Sequence, residues 1–74
     1  MDINHYKTYV QIGLNILYYR KERGMTQADL AERANISRQY AQRIETAVAA
    51  PSLDTLLDIA GALEVPVQKL FDPR

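Results

Sequence analysis

Apolar side chains recur at helical spacing along most of this chain, and no run of strand-type alternation competes with them. The first segment, residues 6–23, contains no helix breaker except Gly13, an interior glycine that costs about 1 kcal/mol against alanine. Val10, Leu14 and Leu17 fall at i, i+4 and i+7 with Gly13 on the same stripe. This face is expected to pack inward, with Gly13 marking the close approach of another helix. Tyr6, Tyr9, Ile12, Ile16 and Tyr19 exceed what that stripe needs. They fit either a broader core face or a second surface for a partner protomer. Arg20, Lys21 and Arg23 in the last turn, with Gly24 just beyond, end the helix as its dipole and C-cap geometry favour.

Two short helices follow, Gln27–Ala34 and Arg38–Glu45. Thr26 and Ser37 stand where a side-chain oxygen accepts from the free N–H groups of a first turn. Asp29, three residues after Thr26, makes an acidic variant of the capping box. Asn35 sits at the stop between the helices and tolerates the left-handed backbone of a sharp turn. Leu30, Ala31 and Ala34 form the inward face of the first helix, Ala41 and Ile44 that of the second, and Ile36 pins the turn. Residues 26–45 therefore read as a helix-turn-helix. Residues 46–50 form a loop ended by Pro51, and Ser52 caps a helix in which Leu53, Leu56, Leu57, Ile59, Ala60 and Leu63 repeat. Glu64-Val65-Pro66 ends it, and residues 67–71 make a short fifth helix anchored by Leu70 and Phe71. The expectation is one all-α domain over residues 1–74, with residues 1–5 loose.

Composition removes several classes of function. The 74 residues include no cysteine and one histidine, His5, so disulfides are excluded and no cluster has metal-ligand spacing. No Ser/His/Asp set, isolated carboxylate pair or glycine-rich phosphate loop is present, so neither an enzyme nor a cofactor is expected. A basic leader followed by an apolar core is missing, as is any run of about 18 apolar residues. A soluble cytoplasmic protein without membrane contact is the expectation. Net charge is zero, but it is unevenly spread. Residues 20–43 carry six cations against three acids, and residues 44–74 two cations against five acids. The positive part is the helix pair. There Arg38, Gln39, Gln42 and Arg43 have the donors and acceptors that meet base edges or phosphates.

With these residues in view, the chain resembles the Cro/phage-repressor (XRE-type) helix-turn-helix family over residues 13–71. The match rests on Arg20, Thr26-Gln27, Leu30-Ala31, Ile36-Ser37, Ile44-Glu45, Pro51-Ser52-Leu53, Thr55-Leu56, Ile59-Ala60, Ala62-Leu63 and Leu70-Phe71. The resemblance implies a five-helix repressor-like domain whose third helix, residues 38–45, enters the DNA major groove. It implies that Gln27 contacts a phosphate and braces a recognition-helix side chain. Arg38 and Gln39 then occupy the turn that enters the groove deepest, Arg43 reaches a base or a phosphate, and Ser37 and Gln42 flank them. Arg20 and Glu45 match two positions that form an ion pair between the ends of helices one and three, a structural role. Tyr40 has two readings: groove contact, or partial burial beside Ala41, where the family usually has Ile or Val. An Ile-sized site left empty by alanine would cost on the order of 2–5 kcal/mol. After Glu45 the family commonly has Asn-Gly and a basic loop, whereas this chain has the uncharged Thr46-Ala47-Val48-Ala49-Ala50.

The function so implied is a sequence-specific, double-stranded DNA-binding transcriptional regulator, repressor-like and homodimeric. Candidate dimer surfaces are the Tyr6/Tyr9 segment and residues 65–71. The alternative is a protein-interaction module on the same fold, antitoxin-like or adaptor, which the neutral total charge and uncharged loop favour.

Overall fold

The computed structural model describes residues 3–73, ordered as a 3-10 turn (Ile3–His5) and four α-helices: α1 (Tyr6–Glu22), α2 (Gln27–Ala34), α3 (Arg38–Glu45) and α4 (Leu53–Leu63). A C-terminal 3-10 turn, Val67–Phe71, stands where a fifth helix is expected. Five residues between Pro66 and the extended Asp72 complete little more than one tight turn, for which i→i+3 bonding suffices. Residues 3–5, expected to be loose, are turned into α1, while Met1 and Asp2 lie outside the described residues. No strand occurs among the described residues.

The helix boundaries are made locally. Thr26, Ser37 and Ser52 each accept a hydrogen bond from the third backbone N–H of the following helix, those of Asp29, Tyr40 and Thr55. The capping box at α2 is complete, because the Thr26 N–H also donates to Asp29 Oδ2 at 2.9 Å. Those bonds from Thr26, backbone first and hydroxyl second, hold the Asp29 carboxyl below its ordinary value of 3.8, helped by Arg33 and opposed by desolvation.

All four α-helices end in the same way. A left-handed residue follows each: Gly24 (φ 68°), Asn35 (58°), Ala47 (61°) and Glu64 (59°). Its N–H bonds the carbonyl three residues back, and the next N–H reaches five back, as in Ile36 to Ala31 at 3.0 Å and Val48 to Arg43 at 2.8 Å. This is the Schellman arrangement, which satisfies carbonyls the helix leaves open. Only the first ending uses glycine, so the other three carry the left-handed backbone on residues with a Cβ.

The core is formed by Ile12 and Ile16 of α1, Leu30 and Ala34 of α2, Ile44 of α3, Leu56, Ile59, Ala60 and Leu63 of α4, and Leu70. Periodicity turns Val10, Leu14 and Leu17 inward, but the helix is rotated from that expectation. Ile12, Gly13, Asn15, Ile16 and Arg20 are buried, Val10 and Leu17 are half-buried, and Leu14 is 50% exposed. Two polar side chains decide the rotation. Buried Asn15 donates through Nδ2 to the carbonyls of Leu70 and Asp72, both at 2.8 Å, and so ties α1 to the C-terminal turn. Arg20 turns toward α3. Leu70 is the buried anchor of that turn, with Val67 half-buried against the core, whereas Phe71 is 45% exposed and not the second anchor expected. Leu53 and Leu57 likewise lie on the outer face of α4.

Candidate nucleic-acid interface

Helix α3 is short, so its placement depends on contacts at both ends. At its start, Ile36 packs on the core and Ser37 caps the first turn. At its end, Gly13 of α1 forms the floor: a Cβ there would lie 2.5 Å from the Glu45 carbonyl oxygen and 2.8 Å from that of Ile44. Only glycine permits this approach. It is the close contact that Gly13 is expected to mark.

Glu45 is the hub of the same end. Arg20 donates from Nε to Oε2 at 2.7 Å and from Nη2 to Oε1 at 3.0 Å, a bidentate pair. Its remaining nitrogen, Nη1, donates to the Met25 carbonyl at 2.9 Å. Gln27 Nε2 also donates to Glu45 Oε1, at 3.2 Å. With side chains 9% and 4% exposed, the ion pair is shielded from water, and no buried side-chain polar atom among the described residues lacks a partner. One carboxylate thus joins the end of α1, the start of α2 and the end of α3. Since Glu45 is the only acid of α3, its pairing leaves the helix displaying cations alone.

That display consists of Ser37, Arg38, Gln39, Gln42 and Arg43, all exposed. Tyr40 is half-buried with its ring against the core, beside the fully buried Ala41, which corresponds to the burial reading of that residue. Gln27 is half-buried at the start of α2. An open groove of about 670 Å³ connects the two elements; Lys21, Gln27 and Arg38 are among its walls. Lys21 is absent from the sequence-based set because it lies on a third helix, where its last-turn position already had an explanation in the helix dipole. The uncharged loop after α3 carries the left-handed Ala47 and an exposed Val48. Among the described residues no three His, Cys, Asp or Glu side chains could hold a metal ion, and no helix is long and apolar enough to cross a membrane.

Two capped helices joined through a left-handed residue, the second seated at both ends with a polar, cationic outer face, define a helix-turn-helix domain of the repressor type. The chain belongs to the helix-turn-helix family, whose model matches residues 16–70. It is 48% identical over 59 residues to the immunity repressor protein of Bacillus phage phi105, a match covering 80% of this chain and 41% of that protein. The restriction-modification controller protein C.AhdI of Aeromonas hydrophila superposes with a TM-score of 0.86 at 29% identity, over 89% of this chain and all of the other. SinR, the master regulator for biofilm formation, solved in complex with DNA, superposes with a TM-score of 0.78 at 37% identity, over 82% of this chain and 98% of that one. The chain spans less than two thirds of the phage repressor it matches.

Proposed function

We infer that this chain is the DNA-reading part of a sequence-specific transcriptional regulator of the repressor kind, non-enzymatic and cytoplasmic. The observation that carries this reading is the rigid seating of α3 beneath an exposed face of Arg38, Gln39, Gln42 and Arg43 with no exposed acid. The DNA complex of similar SinR supports it. Arg38 and Gln39, in the first turn, read base edges: arginine bonds bidentately to guanine and glutamine to adenine. Arg43 meets a base or a phosphate. Gln27 and Ser37, at helix starts where N–H groups favour an anion, hold the phosphate backbone, with Lys21 beside them. Tyr40 serves mainly as packing. One such domain makes few base contacts, so a symmetric homodimer on half-sites about 34 Å apart supplies the specificity.

Selection of bound sequences from a random duplex pool at near-physiological salt tests this reading. Enrichment of a palindromic motif is expected. Arg38→Ala should relax base preference at one position per half-site, and Arg43→Ala should weaken binding with a smaller salt slope or a loss of specificity. Specific binding unaffected by both variants refutes the site assignment. The uncharged loop with its exposed Val48 favours the second reading, a protein-interaction module, and absence of any enriched sequence would select it.

A further inference from the structure

The stripe of α1 that stays out of the core meets the proposed DNA reading only at Lys21, its last residue. Leu14 is 50% and Tyr18 45% exposed, and with Leu17, Lys21 and Glu22 they line a shallow groove of about 560 Å³. A lone exposed leucine needs no explanation, but here Leu14 and Tyr18, one turn apart, are exposed together beside Leu17. Lys7, Leu14 and Lys21 follow one another at intervals of seven residues and so share one line along α1, with Val10 and Leu17 between them. That line is apolar in its middle and cationic at both ends, over about 21 Å. Glu22, the one acid of α1, lies on the flank and is paired with Arg23 Nη1 at 3.0 Å.

This charge pattern selects among occupants. Two copies of α1 packed antiparallel about Leu14 would set Lys7 of each copy against Lys21 of the other. A parallel pair would set Lys7 on Lys7 and Lys21 on Lys21. Both arrangements oppose like charges, which acts against self-association through this face. A helix with an apolar stripe and an acidic residue at each end meets the same line with opposite charges. We propose that the outer face of α1 is a docking site for an acidic amphipathic helix of another protein. The proposal shares Lys21, and no other residue, with the DNA reading.

The test uses the full chain and two fluorescently labelled synthetic helices of about three heptads, alike in their leucine stripe. One carries glutamate and the other lysine at both ends. Anisotropy titration at low salt is expected to show the glutamate-ended helix binding about tenfold more tightly than its counterpart. Leu14→Glu should abolish that binding while leaving DNA affinity and sedimentation behaviour unchanged, and Lys7→Glu should narrow the preference between the helices. Binding of neither helix, equal binding of both, or indifference to Leu14→Glu overturns the proposal. A change of oligomeric state in Leu14→Glu also overturns it, by assigning the face to a second copy.

Discussion

The two interior helix glycines should respond in opposite ways to the same substitution. Gly61 of α4 is exposed and an added Cβ would meet nothing within 4 Å, so Gly61→Ala keeps only the helix-propensity gain, about 0.5–1 kcal/mol. Gly13→Ala has the same gain but puts its Cβ 2.5 Å from the Glu45 carbonyl oxygen, where ordinary contact begins at 3.4 Å. Both of the nearest atoms are backbone carbonyl oxygens, so no side chain can swing aside, and α1 and the end of α3 must part by about 0.9 Å. Overpacking of this kind costs about 1–3 kcal/mol. The same separation stretches the 2.7 Å Arg20–Glu45 bond beyond hydrogen-bonding range, at about 1.5–3 kcal/mol for a charged group. After subtracting the propensity gain, Gly13→Ala should destabilise by about 1.5–5.5 kcal/mol. A chain of this size has on the order of 4–11 kcal/mol in total. The midpoint of thermal melts followed by far-ultraviolet circular dichroism should fall by roughly 6–40 °C for Gly13→Ala and rise by a few degrees for Gly61→Ala. Equal stabilisation by both substitutions would refute the claim that α3 rests on the bare backbone of α1.

Other consequences follow from the same contacts. Glu45→Ala leaves the Arg20 guanidinium charged in a dry site and should cost about 3–5 kcal/mol in urea denaturation, whereas Glu45→Met combined with Arg20→Met should cost less; unchanged stability in Glu45→Ala would show the pair is not structural. Glu64 is exposed and left-handed, so Glu64→Gly should raise stability by about 1 kcal/mol, read as a higher urea midpoint at unchanged slope. Asp29 has a folded carboxyl held below its ordinary value, so its stabilising contribution is present at neutral pH and is lost as pH falls through the folded value. Asp29→Asn should therefore be less stable than the parent at neutral pH, with the difference shrinking in acid; a difference independent of pH would deny the capping carboxylate its role.

The parts of the fold legible in the chain are those with local causes. Thr26, Ser37 and Ser52 mark helix starts because a cap acts over three residues, and Asn35 marks a stop because its backbone preference is its own. The rotation of α1 was not legible. Apolar residues of that helix are spread round it without one dominant stripe, and its orientation is decided by Asn15, whose carbonyl partner at Leu70 lies 55 residues away, and by Arg20, whose partner lies 25 away. Left-handed Ala47 and Glu64 escape for a similar reason, since neither residue type announces a positive φ. In the candidate site, the polar face of α3 was readable from its own spacing. Lys21 was not, because only the packing of α1 against α3 brings it to the groove with Gln27 and Arg38.

The arrangement around α3 separates what holds the helix from what the helix displays. Ala41 and Ile44 are buried, Tyr40 lays its ring on the core, and Glu45 is held by Arg20 and Gln27 over the floor at Gly13. The side chains of Arg38, Gln39, Gln42 and Arg43 carry none of these contacts and are exposed. Exposed positions away from caps, cores and networks usually change stability by no more than about 0.5 kcal/mol when substituted. The outer face can therefore be substituted without loosening the helix that presents it. Gln27 is the exception. Its side-chain nitrogen donates one N–H to Glu45 Oε1, which leaves the second N–H for the proposed phosphate contact at the start of α2. Under the proposed reading, that one amide would touch both the DNA backbone and the carboxylate that seats α3.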